Sequence, residues 1–195
     1  MKGFVIMTQF KHSNWVHTLG PKTTDSFRAY QYACKKYPDV SQASLYLHDS
    51  YSSIYDNLNQ FIGDLIIVPV AYRGRSRIDN WTDNNFRYSN NLAILDSFVL
   101  STKKMALLEN LNACNSRAII HPSTTIFIKQ YEEVIGKSIE FDLADSKPAA
   151  LSIFLNKRYQ YTVASYDTYL IEKCKTVKVR NIFSPQMIWC VYKIM

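Results

Sequence analysis

The stretch VHTLGPKTTDSFRAYQYA, residues 16–33, runs from a short strand-like piece through a Gly-Pro turn into a helix-like segment. Small hydroxyl residues, Thr23, Thr24 and Ser26, crowd the start of that helix beside Lys22 and Asp25. Two readings of this crowding are open. Side-chain oxygens accept hydrogen bonds from the unpaired N–H groups of a first helical turn. The same N–H groups, with the hydroxyls, also suit an anion.

The pattern of strand, hydroxyl-rich turn and helix recurs along the chain. Strand-like runs occur at Val16–Leu19, Ser44–Leu47, Asp64–Val70, Ala93–Leu100, Lys104–Leu108, Arg117–Ile120, Ser138–Leu143, Tyr161–Ala164, Thr176–Phe183 and Met187–Ile194. Helical stretches fill the intervals at Ser26–Tyr37, Ser50–Phe61, Thr124–Ile135, Lys147–Leu155 and Tyr166–Cys174. This alternation predicts α/β architecture with parallel sheets and helices on both faces. LIIVPV, residues 65–70, is a continuous apolar run, as expected of a strand buried on both sides. The turn-rich stretch RGRSRIDNWTDNNFRYSNN, residues 73–91, divides the two βαβαβ sets and is expected to open the crossing between them. The expectation is one domain spanning 1–195 in two lobes, one near 1–96 plus 183–195, the other near 97–182. Ligands of such folds sit near the carboxyl ends of strands, so a cleft at the lobe junction is expected. Three helix starts fit that place: GPKTTDS, then HPSTT at 121–125, then ADSKPAA at 144–150, with Pro148 in the first turn. One alone is a capped helix; three in matching positions favour an anion-binding cleft.

Composition narrows the function classes. With 195 residues, 47% hydrophobic and 20% charged, the chain is an ordinary globular one. No apolar run approaches the ~20 residues of a membrane span. MKGFVIMTQFKHSNW lacks the pattern of a secretory signal. Cys34, Cys114, Cys174 and Cys190 are scattered without a C-x-x-C pair, which points to reduced thiols in the cytoplasm. The net charge of +7 is dispersed, so a small anionic ligand suits it better than nucleic acid. No metal-ligand spacing, G-x-G-x-x-G, P-loop or G-x-S-x-G elbow occurs. His121 is the foremost titrating candidate; His48, next to Asp49, ranks lower, and His12 and His17 carry no local signal.

TLGP at Thr18–Pro21, followed by Thr24 and Ser26, resembles the T-L-G-P-x-G-T-x-S opening of prephenate dehydratase domains, with Thr23 at the second Gly. LHDSY at 47–51, LIIVPVAYRG at 65–74, IIHPSTT at 119–125, FDLADSKPAA at 141–150 and VASYD at 163–167 continue the order, from Thr18 to Tyr192. The resemblance implies the two-lobed periplasmic-binding-protein-like (prephenate dehydratase-like) fold. Dehydratases end in T-R-F, and here those positions are Met187, Ile188 and Trp189. A thioether, an alkyl group and an indole cannot protonate a leaving hydroxide or pair with a carboxylate, so dehydration is disfavoured.

M-x-W, the VP-x-AY-x-G of Val68–Gly74, HPS and FDLADS are similar instead to prephenate decarboxylases of the bacilysin-pathway kind. Val70 stands where those carry His, and Arg73 where they carry an acidic residue. The resemblance implies a cofactor-independent, non-aromatising decarboxylase of prephenate or a close analogue in specialised amino-acid or antibiotic biosynthesis. The rival is a carboxylate-binding module without turnover. Implied catalytic residues are His121 and Trp189. Thr24, Ser26, Val70, Tyr72, Arg73, Ser123, Thr124, Ser146 and Met187 would contact the dicarboxylate, with Lys22, Arg75 or Arg77 adding charge. No metal or organic cofactor, nucleic acid or membrane is implied, and a homodimer is compatible. The sequence ends at its last strand, and no phenylalanine-responsive regulatory extension is expected.

Overall fold

In the computed structural model, which describes residues 13–74, 76–157, 159–171 and 174–195, the opening stretch forms β1 (Trp15–Leu19) and α1 (Asp25–Lys36). The amino-terminal segment up to His12 and the candidate cation Arg75 lie outside the described residues. Thr24 caps α1, Asp25 sits in its first turn and Lys35 and Lys36 in its last, each charge on the side the helix dipole favours. The helix stops where Tyr37 turns extended ahead of Pro38, which opens α2 (Pro38–Gln42). The chain continues through β2 (Ser44–His48), α3 (Tyr51–Tyr55), β3 (Leu65–Pro69), α4 (Trp81–Arg87) and β4 (Leu92–Ser101).

The chain divides into two compact units. The first comprises residues up to Ser101 together with Gln186–Met195, which carry β10 (Gln186–Ile194). Its sheet has the order β2-β1-β3-β10-β4. All five residues of β3 are buried, because both faces of the sheet are covered. Leu65 and Ile67 pack with Ala29 and Ala33 of α1, and Ile66 and Val68 with Tyr51 and Ile54 of α3. The alternation of side chains along a strand thus feeds two separate cores.

The second unit, Thr102–Pro185, holds β5 (Met105–Asn110), β6 (Ala118–Ile120), α5 (Thr125–Ile135), β7 (Phe141–Leu143), α6 (Lys147–Lys157), β8 (Tyr161–Ser165), α7 (Tyr166–Ile171) and β9 (Val177–Phe183). The sheet order is β7-β6-β8-β5-β9. Ala150, Leu151 and Phe154 of α6 cover one face and Ile128 of α5 the other. Gly136 ends α5 in the left-handed conformation, φ 65°, that a side chain would resist.

The structure corrects three sequence expectations. The sheets are mixed rather than parallel: β10 runs antiparallel to β3 and β4, and β5 antiparallel to β8 and β9. An apolar run marks a strand but not its direction, and β10 enters its sheet from the opposite end. Residues 73–91 do not open the crossing. They hold α4 and lead into β4 of the same unit, and the chain changes units after Ser101 and after Pro185. The helix expected over Ser50–Phe61 is α3 followed by a separate 3-10 turn at Leu58–Gln60. Among the described residues no helix is long and apolar enough to cross a membrane.

Candidate functional site

In the first unit the hydroxyls at the start of α1 are engaged by the protein itself. Thr24 Oγ1 accepts from the Phe27 N–H at 3.2 Å and lies 2.9–3.0 Å from the carbonyls of Pro21 and Leu19, to which its proton is directed. Ser26 is buried, with Oγ 3.0 Å from the Tyr51 hydroxyl. Tyr51 and Thr18 in turn bond the Ile67 carbonyl at 3.2 and 2.8 Å. Burial pushes the Tyr51 phenol up to about 12, so it remains a neutral donor. The capping reading of this turn therefore holds for Thr24, and Ser26 serves a buried network that ties α1 and α3 to β3.

The other candidates of this unit are divided between core and surface. Trp189 is 1% exposed in the core beneath α1, and its indole N–H has no hydrogen-bond partner among the described residues. The Trp189 indole, implied by the resemblance to be catalytic, is enclosed by packing. Met187, on the same face of β10, is half-buried against that core. Val70 and Tyr72 pack against the opposite core, and the Tyr72 hydroxyl donates to Asp79 at 2.8 Å. Arg73 is exposed; its backbone bridges Asn80. Lys22 and Arg77 are exposed as well.

In the second unit a compact polar group forms where β6 and β7 end. The Ala144 N–H donates to the Ile120 carbonyl at 2.9 Å, which draws the start of α6 beside His121. His121 Nδ1 is 2.8 Å from Ser123 Oγ and accepts from the Ser123 N–H at 3.3 Å. An accepting Nδ1 places the proton of the neutral ring on Nε2. Burial lowers the His121 pKa, and the nearby Lys147 ammonium lowers it further against the opposing pull of Asp145. The ring is consequently neutral at pH 7, and the local cation is Lys147. Ser146 Oγ accepts from the Ala149 N–H at 3.1 Å, capping α6. Thr124 is fully buried and donates to the His121 carbonyl at 2.8 Å, so it shapes the turn and does not reach a ligand. His121, Ser123, Ser146 and Lys147 therefore share one place, and Thr124 supports it from behind.

Two clusters escape the sequence reading. Asp64, His17 and His48 form a chain: His17 Nε2 lies 3.2 Å from Asp64 Oδ2, and His17 Nδ1 2.8 Å from His48 Nε2. With Asp64 ionised, His17 donates from Nε2 and accepts at Nδ1 from His48 Nε2–H. Asp64 also accepts from the N–H groups of Asn14 and Trp15, pinning the start of β1. Burial depresses the His17 pKa, and burial together with His17 brings that of His48 down to about 4. His17 and His48 come from β1 and β2 and Asp64 from the residue before β3, which no local motif could reveal. Lys147 was overlooked for the opposite reason: it read as a helix start, and its nearness to His121 depends on the pairing of β6 with β7. Among the described residues no group of three or more His, Cys, Asp or Glu could hold a metal ion.

The fold is the mixed α/β, two-sheet architecture of periplasmic-binding-protein-like and prephenate dehydratase-like proteins. Neither a protein-family model nor a curated protein matches the sequence. Among solved structures, an ABC transporter from Parabacteroides distasonis is 13% identical with a TM-score of 0.60, over 93% of this chain and 66% of that one. A prephenate dehydratase from Arthrobacter aurescens, in complex with L-Phe, is 12% identical with a TM-score of 0.54, over 93% and 60%. The periplasmic VFT2 domain of Bordetella pertussis BvgS is 8% identical with a TM-score of 0.53, over 97% and 84%. The chain spans 60% of the length of that prephenate dehydratase. These likenesses show a fold shared by structures named as a prephenate dehydratase, an ABC transporter and a periplasmic VFT2 domain.

Proposed function

We propose that the protein binds a small carboxylate, and that it decarboxylates prephenate or a close analogue without aromatising the ring. The observation that carries the reading is the group at the ends of β6 and β7. A lysine ammonium and a neutral His121 meet there at the start of α6, beside the Ser146 cap, and the Ser123 hydroxyl, donating to His121 Nδ1, orients the ring. A carboxylate suits the ammonium and the helix start, and the Nε2–H of His121 is a neutral donor beside them. Asp145, close enough to act on His121, limits the net positive charge.

In the reaction, the bond between the ring carbon and its carboxylate breaks and carbon dioxide leaves. The bonding electrons pass into the ring diene, and a proton is added at a ring carbon while the ring hydroxyl stays. No metal or organic cofactor is required. Met187, Ile188 and Trp189 in place of T-R-F support retention of that hydroxyl, because none of them can protonate it. We place the activity in the cytoplasm on the scattered cysteines.

The second reading is a binding module of the same fold without turnover. It is favoured by the enclosure of Trp189 and by the engagement of Thr24 and Ser26 within the protein. Incubation with prephenate separates the two. A decarboxylase yields a dihydro-hydroxyphenylpyruvate; a binder shows saturable binding and only spontaneous breakdown. Phenylpyruvate formed above the spontaneous rate would make the protein a dehydratase and overturn both.

A further inference from the structure

The first unit contains a cavity of about 300 Å³ whose walls come from α3, α4 and the loop before α4. That volume lies at the small end of the ~300–1,000 Å³ range of ligand pockets. We propose that it binds a free α-amino acid with an apolar side chain. Both charges of such a zwitterion find a counterpart. Asp56 and Arg87 line the same cavity, and neither forms an ion pair among the described residues, so a carboxylate and a guanidinium are both at hand there. Asp79, the other acid there, is engaged by Ser52 Oγ at 2.6 Å, the Tyr72 hydroxyl at 2.8 Å and Asn84 Nδ2 at 3.0 Å. Asp56 is thus the carboxylate left for an ammonium. It follows the last turn of α3, where a negative charge opposes the helix dipole and serves no stabilising purpose.

Two nearly enclosed polar residues point the same way. Tyr55 and Asn84 are 3% and 2% exposed, yet neither Tyr55 Oη nor Asn84 Oδ1 has a hydrogen-bond partner among the described residues. Buried polar atoms are normally paired, so each is one bond short. Neither is sealed away from solvent like the indole of Trp189, and both residues line the cavity. Asn84 Oδ1 can only accept and suits an ammonium, whereas Tyr55 can donate to a carboxylate. The Tyr55 and Tyr88 rings lie parallel, 10° apart with centroids at 5.5 Å, and give a cation an aromatic wall. Ile78, more than half exposed at the rim, offers apolar contact to a side chain. Gly74 leaves room for the Asp79 carboxylate, which a Cβ at that position would displace.

The test is calorimetric titration of the full chain with L-leucine, N-acetyl-L-leucine and L-leucinamide. Saturable binding of L-leucine, lost in both derivatives and weakened about tenfold or more by Asp56→Ala and by Arg87→Ala, supports the site. Both positions are exposed, so the variants keep their fold, which circular dichroism checks. No saturation by about 10 mM L-leucine, weaker than any Kd of functional use here, would overturn it. Binding that persists unchanged in both variants, or that is equal for a derivative, overturns it as well. Lys147→Met separates this proposal from the preceding one: it should weaken prephenate binding and leave L-leucine binding intact.

Discussion

The starts of α1 and α6 read alike in sequence, each a short hydroxyl-rich turn after a strand, yet the protein uses them differently. At α1 the hydroxyls of Thr24 and Ser26 bond to Leu19 or Pro21 and to Tyr51. At α6 a cap of the same kind, Ser146, is accompanied by Lys147 and brought against His121 by the pairing of β6 and β7. A hydroxyl already bonded on its donor side can stabilise a fold but cannot bind an anion without breaking that bond. Substitutions in the first unit's turn and core should therefore alter stability, whereas those around α6 should alter ligand affinity.

The largest effect is expected at Trp189. Trp189→Ala removes a fully enclosed indole from the core under α1 and should cost ~3–5 kcal/mol in urea unfolding. A cost under about 1 kcal/mol would show that this position is not core and would undo the contrast. Next comes Lys147→Met, which should weaken prephenate binding about tenfold or more, equivalent to ~1.5–3 kcal/mol for a charged hydrogen bond. Its melting temperature should stay near that of the parent. Unchanged affinity would remove the second unit's cation from the site.

Smaller losses should follow in the turn itself. Ser26→Ala leaves the Tyr51 hydroxyl short of a partner and should lower stability by ~1–2 kcal/mol. Thr24→Ala should cost ~1 kcal/mol through the lost cap. Neither should change prephenate affinity; a tenfold loss in either variant would return the first helix start to the ligand.

The smallest effect is a dependence on pH. Folding lowers the His17 and His48 pKa values below the 6.5 of the free side chain, so the unfolded chain binds more protons in between. Stability should be full above about 6.5 and decline as pH falls toward about 4, the His48 value. His121 titrates in the same direction. Melting profiles of His48→Gln and His121→Gln divide the decline between the units. A profile unaltered by His48→Gln would remove the histidine chain as its source.

Local pattern carried much of this far. The run LIIVP could only be a strand covered on both faces, and β3 is buried throughout. Thr24 with Asp25, and Pro38 after Tyr37, fixed the ends of α1 through caps and steric exclusion, which act within a few residues. The α/β alternation also led to the two-sheet fold. The same hydroxyl-rich signal was ambiguous, because an N–H donates to a side-chain oxygen and to an anionic ligand alike. Strand direction was not written in an apolar run, and so β10 between β3 and β4 came as antiparallel. Tertiary structure alone enclosed Trp189, joined His17 of β1, His48 of β2 and Asp64 before β3, and set Lys147 beside His121. Each depends on which distant segments meet, a long-range contact that the periodicity of a single segment cannot encode.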